Sequence, residues 1–290
     1  MMRATSRMPR MVTLGAAGLL ATGVLAGCGS SDGEGKDSAG PTAESREQSP
    51  TQVVQATNEK TSQAGSARVK LTSTASSGGR SETVRGAGVM DFEDGASRIE
   101  LGRAGQRIEQ RVVDQALYQR PTKGTGELPD GKSWMKIDLE RLRDSGVSGG
   151  AQVSDPSDSF AYSKSLSEKD VKKVGSEQVG GVRTTHYRVV VDIDKLAKGS
   201  ADQSKKLREQ LGDTLPMDLW IDDKGLTRRQ QIELTTQGKS SGGTPKGSAT
   251  KAKVVMDFSD FGTDVDVDAP AAADTVDMTS KVIKQSKQNA

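Results

Sequence analysis

Between Ser49 and Gly262 most apolar residues of this chain fall in short runs that recur at every second position, and that period decides the fold class. The segment ARVKLTST sets Val69 and Leu71 against Arg68 and Lys70; ETVRGAGVMDF runs Val84, Gly86, Gly88, Met90 and Phe92 along one side; SRIELG opposes Ile99 and Leu101 to Arg98 and Glu100. QRIEQRVVDQALYQR and SWMKIDL continue the alternation. The second half repeats it in VKKVGSEQVGGVRTTHYRVVVDI, LPMDLWID, LTRRQQIELTTQ and TKAKVVMDFSDFG. Successive side chains of a strand point to opposite faces, so such segments bury one face and wet the other. Gly- and Asp-containing turns break the runs at intervals near ten residues, as in Gly180-Gly181 and Asp223-Lys224-Gly225. About nine to eleven strands of an antiparallel sheet are predicted, within one domain.

Two segments interrupt this period. Ser49-Pro50 opens a helix, with Ser as N-cap and Pro at the first helical position, and Val53, Val54, Ala56 and Thr57 give it a short apolar face before Gly65. Asp194 to Gly212 reads as a polar, weakly amphipathic helix. Two or three helices among many strands make the class α+β rather than α/β.

The chain has a single cysteine, Cys28, placed where an apolar run stops. Arg3, Arg7 and Arg10 precede an uncharged apolar segment from Met11 to Ala26, which is the pattern of a secretory signal and is too short and Gly-rich for a dedicated span. Its end, Leu25-Ala26-Gly27-Cys28, resembles the lipobox of bacterial lipoproteins. That resemblance implies that Cys28 is diacylated and that cleavage before it makes it the first mature residue. A diacylglyceryl anchor would hold the chain on the outer face of the cytoplasmic membrane, outside the cytoplasm. With no further cysteine, neither a disulfide framework nor thiol catalysis is available.

The predicted organisation is a signal peptide over 1–27, the lipidated cysteine and a flexible tether over 28–48, a folded domain over 49–277 and a C-terminal tail over 278–290. Residues 29–48 are Gly, Ser and charge with nothing to bury, and about twenty flexible residues reach roughly 25 Å. The chain has 41 basic and 39 acidic residues, and without the three arginines of the signal the balance is 38 to 39. No basic stripe with interleaved aromatics occurs, so nucleic acid is not an expected partner. Only 32% of residues are hydrophobic and 3% aromatic, so the core must be thin.

Candidates for chemistry are few. His186 is the lone histidine and reads as an exposed strand residue, with no G-x-S-x-G motif to supply a nucleophile. Ser133 and Lys136 fit S-x-x-K, but the alternation puts Ser133, Met135 and Ile137 on one face and Lys136 on the other. Asp264, Asp266 and Asp268 mimic the start of a calcium loop, which would need Gly and Glu where Ala269 and Thr275 stand; they read as a solvated strand edge. No enzyme, metal site or cofactor is therefore expected.

Four stretches in this order resemble the LppX/LprAFG lipoproteins, which share a fold with the lipoprotein carrier LolA: VVQATNEKTSQAGSARVKLTS, GKSWMKIDL, VGSEQVGGVRTTHYRVVVDIDKL, and LPMDLWIDDKGLTRRQQIEL with DFSDFGTDVDVDAP. The resemblance implies a curved antiparallel half-barrel with helices on its concave side, and lipid or acylated glycolipid held between sheet and helices. Strand parity then nominates Tyr187, Val189, Val191, Leu219, Ile221, Ile232 and Leu234 as the floor of a ligand groove, with Trp220 and Lys136 facing outward. A monomeric lipid carrier is one expectation. An envelope interaction or sensing module that keeps the fold without a cavity is the other.

Overall fold

The computed structural model describes residues 48–288 except 104, 122–127, 146–162, 165, 197–200 and 239–246. The signal, Cys28 and nearly all of the tether lie outside the described residues.

One twelve-stranded sheet carries the fold, in the order β12-β6-β5-β4-β3-β2-β1-β11-β10-β9-β8-β7. Two meanders build it. The first runs β1 (Ser66–Ser77), β2 (Arg80–Asp91), β3 (Ser97–Arg103), β4 (Gln106–Val113), β5 (Ala116–Arg120) and β6 (Trp134–Asp138). The second runs β7 (Val171–Val179), β8 (Val182–Asp192), β9 (Thr214–Asp222), β10 (Thr227–Gly238) and β11 (Gly247–Ser259). Antiparallel pairing of β1 with β11 joins them, with Leu71 opposite Met256. Adjacent hairpins need only local turns, such as Gly180-Gly181 with φ of 58° and 82°, a conformation that costs glycine little. The sheet is open and curved.

The twelfth strand, β12 (Thr275–Asp277), was not foreseen and brings the count above nine to eleven. It pairs with β6 in parallel, Val276 opposite Met135, so the sheet is not wholly antiparallel. Three residues are too few for a period to be visible. In the segment predicted as a helix from Asp194 to Gly212, the described residues form α3 (Ile193–Leu196) and α4 (Ala201–Leu211). The sequence beyond residue 277, expected to be a tail, forms helix α5 (Thr279–Gln288). It is docked by Thr279, whose hydroxyl accepts the Asp138 N–H at 2.9 Å and whose own N–H donates to Asp277 at 2.8 Å.

Helix α1 (Pro50–Gln63) has a complete capping box: Gln52 N–H donates to the Ser49 hydroxyl at 3.3 Å and Ser49 N–H to the Gln52 side chain at 2.9 Å. Val54, fully buried, carries α1 into a core of Leu166, Val171, Tyr187, Val189, Val191, Met217, Leu219 and Ile221. The short helix α2 (Leu139–Asp144) covers the other end of the sheet, where Leu139 packs with Val112 and Leu117. Between these ends, β2 meets β3 very closely: a Cβ on Gly88 would stand 1.9 Å from the Arg98 carbonyl oxygen. Only glycine permits that approach.

Candidate functional site

Residues directly opposite one another in an antiparallel pair share a face, so the register traces the concave surface strand by strand. One row runs Ile108, Leu101, Gly86, Leu71, Met256, Gln230, Leu219 and Tyr187, each paired with the next, from β4 to β8. A second runs Val84, Ser73, Val254, Ile232, Met217, Val189 and Val171, from β2 to β7. Both rows change character along their length. Tyr187, Leu219 and Gln230 are buried, while Met256, Leu71, Leu101 and Ile108 are half-buried. Likewise Val171, Val189 and Met217 are buried, and Ile232, Val254 and Val84 are half-buried. The cause is coverage. Helix α1 packs on β7 and β10, α4 on β9 and β10, and α2 on β5 and β6.

The seven residues predicted as a groove floor divide at this boundary. Tyr187, Val189, Val191, Leu219 and Ile221 lie within the packed core under α1, with Val189, Val191 and Leu219 at 0% exposure. Ile232 and Leu234 are half-buried. Burial pushes the Tyr187 phenol above its ordinary range. At the boundary sits Gln230, buried in the apolar row with its side-chain oxygen unpartnered. The half-open stretch on β1 to β4 and β11 was missed by the parity argument, although Leu71, Leu101 and Met256 carry the same alternation.

The outward face differs from expectation at two residues. His186 is not an exposed strand histidine: its side chain is only 14% exposed. Its ring stacks on Trp220 at 4.3 Å between centroids and 9° between planes. Nε2 lies 2.8 Å from Asp218 and Nδ1 3.5 Å from Glu177, while Glu177 also accepts from the Trp220 indole at 2.5 Å. Trp220 does lie on the face opposite Leu219, but His186, Glu177 and the Arg229 guanidinium at 5.7 Å cover it to 6% exposure. Hydrogen bonding to Asp257 holds the Arg229 pKa above its ordinary range, against the cost of burial. Both ring nitrogens of His186 thus face carboxylates, and the stacked ring caps Trp220.

Ser133 precedes β6 and is exposed, its N–H donating to the Asp274 carbonyl at 3.0 Å. Lys136 lies within β6 with its ammonium 5.9 Å from the Tyr118 ring centre. The extended backbone provides no helical turn to stack the lysine over the serine. Asp264, Asp266 and Asp268 are exposed, but they lie in a segment without strand pairing rather than on a strand edge. The Asp268 carbonyl accepts from Arg111 at 2.9 Å. Among the described residues no group of three or more His, Cys, Asp or Glu side chains is placed to hold a metal ion.

No protein-family model matches the chain. A Streptomyces coelicolor protein named as a candidate lipoprotein is 28% identical over 242 residues, covering 78% of this chain and 74% of that protein. The chain is similar to a bacterial lipoprotein. An uncharacterised 31.2 kDa protein of Streptomyces griseus is 29% identical over 260 residues, covering 82% and 81%. Among solved structures, the Mycobacterium tuberculosis lipoprotein LppX aligns with a TM-score of 0.41 and 14% identity, over 74% of this chain and 98% of LppX. LprF from Mycobacterium bovis aligns with a TM-score of 0.40 and 13% identity, over 77% and 97%.

Proposed function

We propose that this protein is an extracytoplasmic lipoprotein, anchored through a diacylated Cys28, that binds an acyl-bearing lipid on its concave face without catalysing a reaction. The observation that supports this reading is the continuous apolar row that leaves the packed core at Gln230 and runs on half-exposed through Met256, Leu71, Leu101 and Ile108. A half-exposed apolar strip of that length suits a binding surface in a protein otherwise rich in charge. The lipobox-like Leu25 to Cys28 and the similarity to a candidate lipoprotein support the anchor. In this reading Ile232 and Leu234 border the acyl chain, while Tyr187, Val189, Val191, Leu219 and Ile221 form the closed end of the groove against α1.

Organic extraction of the purified protein, with mass spectrometry of the non-covalent fraction, tests it. Recovery of a lipid in near-stoichiometric amount supports carriage; an empty extract from protein taken directly from membranes contradicts it. Cys28→Ala should leave an uncleaved or membrane-free form, and unchanged processing with retention through a high-salt wash would contradict the anchor. The packed end favours a second reading, an interaction or sensing module whose concave face is filled by its own helices, and an empty extract would favour it.

A further inference from the structure

Beside α1, at the Tyr187 end of the first apolar row, lies a cavity of about 160 Å³. Val53, Ala56, Thr57 and Lys60 from one face of α1 line one side; Thr185, Tyr187 and the β9 turn at Ile221, Asp222, Asp223 and Gly225 line the other. Its volume is that of a cavity able to hold a benzene-sized group, about 150 Å³.

Three features of the lining stand out. Thr57 is buried to 1% exposure, and its hydroxyl, without a hydrogen-bond partner among the described residues, has no surface open to the cavity. Lys60 lies across the turn because residue 225 is glycine: a Cβ there would stand 2.9 Å from the lysine nitrogen. Lys60 and Asp223 line the same cavity, yet among the described residues neither has an ion-pair partner. Asp222 is committed elsewhere, to Arg228 at 2.7 Å and to the N–H groups of Lys224 and Leu226 at 2.9 Å each. Among the described residues the lining therefore offers one free cation and one free carboxylate.

We infer that this cavity binds a small zwitterion, with an anionic group on Lys60 and an ammonium group on Asp223. A net-charged ligand would satisfy one of the two charges and oppose the other; a zwitterion satisfies both. The Thr185 hydroxyl serves its polar atoms, and Val53, Ala56 and the Tyr187 ring enclose its carbon atoms. The same chemistry occurs in a free metabolite and in a zwitterionic lipid headgroup. The inference is separable from the acyl-binding reading because the cavity adds Lys60 and Asp223, which the apolar rows lack, although Tyr187 and Ile221 border both.

The test uses the full-length protein in non-ionic detergent, with 3-fluorotyrosine at its three tyrosines. Tyr187→Phe identifies the resonance at the cavity. Glycerophosphoethanolamine, which has the headgroup without acyl chains, should shift that resonance saturably, whereas glycerophosphate or ethanolamine alone should not. Lys60→Gln and Asp223→Asn, both at exposed positions, should each weaken binding by roughly tenfold or more, the loss expected for one charge-assisted hydrogen bond. Vesicles containing phosphatidylethanolamine shift the resonance if the source is a lipid headgroup, and leave it in place if the source is a free zwitterion; the site is supported either way. Absence of a saturable shift with the soluble probe, or a shift unchanged in both charge variants, would overturn the inference. Neither result bears on whether lipid is recovered by extraction.

Discussion

Val189 and Leu101 are both inward-facing residues on antiparallel strands of one sheet, yet Val189 is at 0% exposure and Leu101 is half-exposed. Their strands read alike in the sequence, apolar alternating with charge. What separates them lies outside the strands. Val189 has Val54 of α1 and Leu166 in its cluster, whereas Leu101 faces Gly86 and Ile108 and joins none of the buried clusters. The same face thus serves as a core where a helix covers it, under α1 and under α2, and as a half-open surface between.

If that account holds, truncation should separate the two ends sharply. Leu219→Ala, in the packed end, should cost about 2–5 kcal/mol by urea unfolding, because it leaves a cavity in a site that cannot collapse. Leu101→Ala should cost about 1 kcal/mol, since the side chain is already partly wet, and should instead reduce lipid recovery. Equal losses at both positions would break the comparison.

The next effect concerns the close approach of β2 and β3. Gly88→Ala should destabilise by roughly 1–3 kcal/mol, as the new methyl group meets the Arg98 backbone. Gly86→Ala should cost less, because its nearest neighbour at 2.7 Å is the movable Leu101 side chain. Differential scanning calorimetry of the pair resolves the order.

Removing the cap of α1 with Ser49→Ala should cost about 1 kcal/mol and raise hydrogen exchange in the packed end more than on β1 to β4. The smallest effect is a pH dependence at the edge of that end. The Ser167 hydroxyl donates to Asp170 at 2.6 Å and, with the Ser167 N–H and Lys195, holds the Asp170 pKa below its ordinary range against the cost of burial. A depressed carboxylate contributes stability that is present above its unfolded pKa and lost as pH falls through the folded one. Asp170→Asn should therefore flatten the acid limb of a stability-versus-pH curve, leaving the neutral limb parallel to wild type.

Much of the fold could be read from the chain because its determinants are local. Alternation marked the strands, Gly180-Gly181 the β7–β8 turn, and Ser49-Pro50 the start of α1. Parity also placed Leu219 and Trp220 on opposite faces. The division of the concave face was not legible, because whether Ile232 or Leu219 is covered depends on where α1 lands across the sheet. The surroundings of His186 were hidden for a similar reason: Asp218 and Glu177 reach it from neighbouring strands, through a register that includes a shift between Lys173 and Gly175. Strand β12 pairs through its backbone over three residues, which leaves no side-chain period to read.

The central claim is that acyl chains lie on the half-open strip rather than beneath α1. Photo-crosslinking with a phospholipid bearing a diazirine in its acyl chain, followed by peptide mapping, tests it directly. The account predicts adducts on Leu71, Leu101, Ile108 and Met256, with Val189 and Val191 unmodified. Adducts confined to the convex face, or an absence of adducts anywhere on β1 to β4 and β11, would contradict it.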